Sequence, residues 1–386
     1  MHDGPALVID KSTLQSLSDR ESQWLFHFFH VVLTPTLFLE IRGDLEKAAR
    51  DGKTSEEEVA IIASKIRGFG ATVNMDHFEL CVGDLMGHLV EMRGVPALGG
   101  GKEITDSHGR VAMVFDEQSE IKALRRWSEG DFSDEDWEYA RFWRASLENL
   151  DLAELQRGIG SLKQATKDIT SLSGILDFVD KTLGAPGVAY KLLTQALELL
   201  LIPEDLHRRI IASWKMSGRK QLGVYAPYAN HVTRVEMFFF MALARDLIAP
   251  FPNTNRIDIS YLYYLPFCRV FVSNDKLHKR TVPLFVTGKK MFVPGEELKT
   301  DLAALASHYE AMPEKVINTG SRTYARYPPR DGDFLTARIY DCVRPDWREW
   351  AEWPPEKRTP EQDAKTMERL RPMMEAIEDH EKRSKS

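Results

Sequence analysis

The chain has 386 residues, 43% of them hydrophobic, and a formal charge of −7 at pH 7. That length supplies core enough for two or three compact units and excludes a wholly disordered chain, while the acidic balance excludes a protein coated in basic surface, so nucleic-acid affinity has to come from local patches. Cys81, Cys268 and Cys342 are widely separated and lack CxxC spacing, which suits reduced thiols better than disulfides or zinc.

The amino end shows no charged region followed by an apolar stretch, so no secretory leader is read and a cytoplasmic location is expected. Ala6-Leu7-Val8-Ile9 is a short apolar run with the pattern of a buried parallel strand. Asp10 closes it, and Lys11-Ser12-Thr13 starts a helix. Val31-Val32-Leu33 predicts a second strand, and Thr34-Pro35 supplies a cap and a first-turn proline for the helix that carries Glu40, with Asp44 one turn further on. His27 and His30 lie one turn apart among apolar neighbours and read as a packed helix face rather than a metal pair.

Composition changes near residue 51, and from there to about residue 228 the periodicity is mainly helical. Asn74 is placed to cap a helix with Phe78, Val82, Leu85 and Leu89 as its apolar stripe, and Ser133 to cap another with Trp137, Ala140, Trp143 and Leu147. Between them Asp106-Ser107-His108-Gly109 is turn chemistry, followed by Arg110 to Phe115 as one strand of a hairpin. Further helices are predicted over 152–167, 173–183, 188–201 and 204–216. Gly99-Gly100-Gly101-Lys102 is not a phosphate loop, because Pro96 replaces the upstream glycine and Glu103 replaces the hydroxyl residue.

The stretch 231–247 predicts a long apolar helix. The most apolar segment, Val235 to Phe251, is interrupted by Glu236, Arg245 and Asp246 and falls short of the roughly 20 residues of a membrane span, so no membrane association is expected. Asp258 sits in a short helix, Cys268 to Ser273 is a strand ended by Asn274-Asp275, and Met291-Phe292-Val293 with 296–309 gives the last strand and helix. Residues 311–386 form an extension with Trp347, Trp350 and Trp353 at three-residue spacing and a charged final helix; the tryptophans read as anchors on the protein's own surface.

Acids at the carboxyl ends of buried strands face the crevice where open α/β sheets do their chemistry, and several hard oxygens together hold Mg²⁺ or Mn²⁺. Asp10, Glu40, Asp258 and Asp275 stand in that relation to the predicted elements. Asp44 and Glu236 read as ordinary surface or salt-bridged acids. Lys276, Lys279, Arg280, Lys289 and Lys290 follow Asp275 closely and are placed to hold flanking phosphates, with a solvated face as the plain reading beside it. Lys122, Arg125, Arg126, Arg208, Arg209, Lys215, Arg219 and Lys220 extend such a track with weaker support.

With Ile9-Asp10 and Leu39-Glu40 at the amino end, Asp258, and the run Tyr261 through Phe267 into Val270-Phe271-Val272-Ser273-Asn274-Asp275, the chain resembles the PIN-domain nucleases. The resemblance covers residues 5–48 and 230–306. It departs at Lys11, where the family often has a small hydroxyl or amide residue, and in the length between Glu40 and Asp258. It implies an α/β, PIN-like domain: a central, mostly parallel sheet flanked by helices, built from residues 1–50 and 229–310 and split by a mainly helical insertion with one hairpin at 51–228. It also implies that Asp10, Glu40, Asp258 and Asp275 form one acidic pocket that binds Mg²⁺ or Mn²⁺ and is catalytic. The expected activity is endonucleolytic cleavage of phosphodiester bonds by in-line attack of an activated water, with single-stranded RNA favoured. A structure-specific DNA nuclease and a catalytically silent scaffold binding RNA or protein stay open. So does a homo-oligomer or a regulatory protein partner.

Overall fold

The computed structural model describes residues 4–48, 52–66 and 70–351, together with Ala364, Met367, Glu368, Arg371, Pro372, Met374 and Glu375. Its frame is a five-stranded, wholly parallel sheet of β1 (Ala6–Ile9), β2 (His30–Leu33), β3 (Ala71–Val73), β6 (Val270–Ser273) and β7 (Met291–Pro294), in the order β3-β2-β1-β6-β7. The hairpin of β4 (Lys102–Thr105) and β5 (Val111–Val114) stands apart from it. β1 is the middle strand: Leu7 pairs with Val31 on one side and Val270 on the other. Leu7, Val8, Ile9, Val270, Phe271 and Val272 are all fully buried, as a strand covered on both faces requires.

The chain leaves β1 in one direction, through β2 to β3. It returns some two hundred residues later on the other side of β1, through β6 to β7. The point where the winding reverses therefore lies between β1 and β6, and the crevice outside the carboxyl ends of those two strands is where ligands bind in open α/β sheets.

Helices flank the sheet because its strands lead into helical segments, capped by a side chain after β1, β2, β3 and β6 but not after β7. The Asp19–Phe28 and Gly295–Glu310 helices pack on one another and on the sheet, with Trp24 stacked on Tyr309 at 4.5 Å. The 3-10 segment Tyr261–Phe267 packs against β1, the Lys276–Phe285 helix packs against β6 and β7, and the Pro227–Ala244 helix packs on that 3-10 segment. This long helix starts with proline at its first turn, buries Val235, Phe238, Phe239 and Ala242, and gathers the Leu172–Leu183, Ala189–Leu199 and Leu222–Tyr225 helices around itself. Among the described residues no helix is long and apolar enough to cross a membrane.

Three local expectations are corrected. β3 falls inside 51–228, so the sheet takes a strand from the segment expected to be an insertion; three residues are too few for a periodic signal. Asn74 is not a cap. It is buried and bonds the backbone of Met75 and Ala97, while Asp76 caps the His77–Leu85 helix through Phe78 N at 2.8 Å. The buried face of that helix is Leu80, Cys81, Asp84 and Leu85, whereas Phe78 and Leu89 are exposed, because the helix stops at Leu85, ahead of a left-handed glycine, Gly87. The predicted helix over 152–167 is two, Leu152–Gly158 and Gly160–Ala165.

Trp347 is buried against Tyr327 and Tyr340 and donates to Asp341 at 2.8 Å, contacts within the extension itself, and Tyr340 in turn donates to the Phe28 carbonyl at 2.5 Å. Trp353, the Trp350 side chain and most of the charged carboxy-terminal segment lie outside the described residues. His27 bonds the carbonyl of Ala325 and His30 the hydroxyl of Thr72, each in a packing role.

Candidate active site

Two of the four acids, Asp10 and Asp275, stand at strand-to-helix junctions at the carboxyl end of the sheet, and Glu40 and Asp258 lie on helices. Asp10 caps the Lys11–Ser16 helix as the chain leaves β1: Oδ1 accepts from Thr13 N at 3.1 Å, and Oδ2 accepts from Ser12 Oγ at 2.8 Å and Ser273 Oγ at 2.9 Å. Asp275 repeats this geometry after β6, its Oδ1 accepting from Leu277 N at 2.6 Å and His278 N at 3.1 Å. Ser273 sits between them, accepting from Asp275 N at 2.9 Å and touching His278 Nδ1 at 2.8 Å. A short hydroxyl residue at the end of a buried strand is the right length for this bridge. In its context before Asn-Asp, that was a readable signal.

Glu40 lies on the Pro35–Gly43 helix, capped by Thr34. Its Oε2 accepts from the Tyr261 hydroxyl at 2.5 Å and its Oε1 lies 3.7 Å from Lys11 Nζ. Asp258 lies on the Asn255–Ser260 helix, which Thr36 Oγ1 ties to the Glu40 helix through Ser260 Oγ at 3.0 Å. His278, fully buried, donates from Nε2 to the Asp258 carbonyl at 2.7 Å. Side-chain chemistry that sequence reasoning gave no role thus fixes the site: Tyr261 and His278 hold the acid-bearing elements in place.

These carboxylates lie near enough to act on one another through their charges. Burial first, then Asp275, Glu40 and Asp10 in that order, push the Asp258 carboxyl up to about 8, because its charged form is both desolvated and surrounded by like charge. Glu40 is also raised, by burial above all, although Lys11 and the Tyr261 hydroxyl oppose the shift. Asp258 differs from the other three in having no hydrogen bond or ion pair to its side chain among the described residues.

The acids meet electrostatically but do not close on one point. Among the described residues no three His, Cys, Asp or Glu side chains stand close enough to ligate a single ion directly. Part of the pocket is occupied by a cation of the chain itself: Lys11 Nζ bonds Asp44 Oδ1 at 2.9 Å and Oδ2 at 3.1 Å. Burial lowers the affinity of this amine for its proton, but Glu40 and Asp44 outweigh that and raise it. Asp44 is taken further by Lys47 at 2.5 Å and Arg144 at 3.4 Å. Glu236 likewise is spoken for, by Arg256 at 2.9 Å and the Tyr263 hydroxyl.

Of the basic residues after Asp275, Lys276, Lys279 and Lys289 are exposed and have no ion pair among the described residues. Arg280 is exposed and donates to the Leu247 carbonyl at 2.9 Å. Lys290 turns inward instead, donating to the Leu265 carbonyl at 2.6 Å, and burial lowers its pKa. It is half-buried and tied to the backbone, unlike the exposed lysines beside it. In the weaker track Arg125 pairs with Glu117 and Arg126 with Asp136, whereas Arg208, Arg209, Lys215, Arg219 and Lys220 are exposed.

No family model, curated protein or solved structure matches this chain.

Proposed function

We propose that the protein is a PIN-like, metal-dependent endonuclease that cuts phosphodiester bonds, with single-stranded RNA as substrate. The observation that carries this reading is Asp258: an unpartnered carboxylate facing Asp275, Glu40 and Asp10, at the point where the winding of a parallel sheet reverses. Uncompensated hard oxygens there favour a divalent cation. Mg²⁺ uses one or two carboxylates and keeps several waters, so it does not require the three-ligand protein cage that is absent among the described residues. When bound, such an ion supplies charge neutralisation and activation of water.

The chain's own groups prepare the site. Ser12, Ser273 and the Thr13 amide fix both oxygens of Asp10, and the first-turn amides of the Lys276–Phe285 helix fix one oxygen of Asp275 and leave the other without a partner among the described residues. These bonds set the orientation of Asp10 and Asp275 before any ligand arrives. Lys276 and Lys279, exposed on the helix that Asp275 caps, are placed to hold phosphates on either side of a scissile bond.

A second reading is favoured by one observation: Lys11 already pairs with Glu40 and Asp44. In that reading the pocket is a silent scaffold that binds RNA or protein. The test is incubation of the full chain with single-stranded RNA and with flapped DNA in Mg²⁺ or Mn²⁺, alongside Asp10→Asn and Asp275→Asn. Cleavage of the RNA, falling by at least about a hundredfold in both variants while their circular dichroism stays native, is expected, since even indirect supports of a metal are worth about 10- to 100-fold. Wild-type turnover by both variants rejects the assignment. Cutting of flapped DNA alone transfers it to a DNA nuclease, and RNA binding without Mn²⁺ binding transfers it to the scaffold.

A further inference from the structure

We propose that single-stranded RNA docks on the exposed face of the Glu204–Met216 helix and the turn that follows it, where Arg208, Arg209, Lys215, Arg219 and Lys220 hold phosphates and the Tyr190 ring stacks on a base. The choice of RNA rests on the nuclease reading above. The face itself lies on elements other than those that carry the four acids.

The sequence sets the charge. The chain has 58 Asp and Glu, yet residues 206–235 contain none, against six Lys and Arg, so this stretch is basic within an acidic protein. One of the six, Arg234, pairs with Asp180. The other five are exposed and have no ion pair among the described residues. Helical spacing collects them: Arg208, Arg209, Ala212, Lys215 and Met216 fall on one side of the helix, while Ile210 and Trp214 are buried on the other. Glu204 and Asp205 stand in the first turn, at the far end from Lys215, and pair with none of these cations among the described residues. A face of one sign with no counter-charge attracts a polyanion.

The turn presents the last two cations in a fixed place. Gly218 and Arg219 both take left-handed backbone, with φ of 90° and 55°, and Arg219 N closes the helix on the Trp214 carbonyl at 3.1 Å. Trp214 Nε1 donates to the Lys220 carbonyl at 2.8 Å, and the Gln221 side chain to the Ala185 carbonyl at 3.0 Å. The Tyr190 ring lies 5.8 Å from the Trp214 ring and is 53% exposed. Phosphates on cations and an unstacked base on an aromatic ring are how single strands are held. The helix face carries one large exposed hydrophobe, Met216, too little for insertion into a lipid surface.

The experiment is fluorescence anisotropy of a labelled short oligouridylate with the full chain, in EDTA, over a series of salt concentrations. The variants are K215A/R219G/K220A, R208A/R209A, Y190A and Y190F; glycine at 219 keeps the left-handed turn. The triple variant is expected to bind at least about tenfold more weakly, and its slope of log affinity against log salt to be shallower by about 2, at about 0.7 per phosphate contact on a single strand. Y190A should bind about tenfold more weakly with the wild-type slope, and Y190F should bind as wild type does. Wild-type affinity and slope in the triple variant, or wild-type affinity in Y190A, overturns the proposal. So does wild-type protein that binds anionic vesicles or DNA of matching length but not the RNA. If the triple variant loses its native circular dichroism, R208A/R209A decides, with a slope shallower by about 1.4 expected and an unchanged slope overturning the proposal. Binding without metal is read apart from cleavage. Binding that ignores these variants, in a protein that cuts RNA, removes the docking face and leaves the nuclease reading. Binding that falls as expected, in a protein that never cuts, keeps the face and removes the nuclease.

Discussion

Asp258 concentrates the physics of the site in one side chain. A carboxylate deprived of water and facing three others holds its proton to about pH 8, compared with an ordinary value near 4. The folded state therefore binds a proton that the unfolded chain has already released between those limits. Stability contributed by this group is complete below the ordinary value and is lost as pH rises through about 8. In metal-free protein the urea midpoint is thus expected to fall between pH 5 and pH 8.5, and Asp258→Asn should flatten that fall, because the amide has no charge to desolvate. A variant whose midpoint declines with the wild-type slope would show that Asp258 is not the group responsible. The same residue was legible as a candidate from its helix and its place before the Tyr261–Phe267 run. Its isolation from every donor was not, since sequence spacing says nothing of which partners are missing.

Among the elements, the two strand-to-helix junctions at Asp10 and Asp275 matter most. They are held to each other by Thr13, whose buried Oγ1 accepts from Asn274 N at 3.0 Å, and by Asn274, whose Oδ1 accepts from Glu296 N at 2.9 Å. Gly295 begins the last sheet-covering helix directly against this pair. A Cβ there would fall 2.6 Å from Thr13 Cγ2 and 2.9 Å from Asn274 Cγ, closer than such atoms approach. Gly295→Ala is expected to cost about 1–3 kcal/mol in urea denaturation, the range for overpacking, and to weaken Mn²⁺ binding by moving Asp10 relative to Asp275. Unchanged stability would show that the junction yields freely. Both junctions could be read from sequence because an apolar run, an acid and a capping pattern occur together in a few residues. The contact between them joins residues 13, 274 and 295, and no local pattern encodes it.

At the scale of the molecule, the long middle segment is not an independent body resting on a frame made by the flanking segments. It contributes β3 to the sheet, stacks Trp127 on Phe38 at 5.0 Å, and pairs Arg42 of the Glu40 helix with Asp136 at 3.1 Å. The Pro227–Ala244 helix then packs on the Tyr261–Phe267 segment beside β1. A chain of this size ordinarily unfolds in stages, but this interlocking predicts that tryptophan fluorescence and far-ultraviolet circular dichroism follow one coincident urea transition. Two separated transitions would show that the segment folds by itself.

What the amino-acid sequence determined by itself was the set of parts: fully apolar strands that must be covered on both faces, capped helices after them, and carboxylates at the seams, because periodicity and capping act over a few neighbouring residues. The tertiary structure alone decided that β1 and β6 become neighbours across some 260 residues, that Lys11 falls on Glu40 and Asp44, and that the Asp258 side chain is left without a partner among the described residues. Those outcomes depend on distances between remote segments, which long-range packing sets.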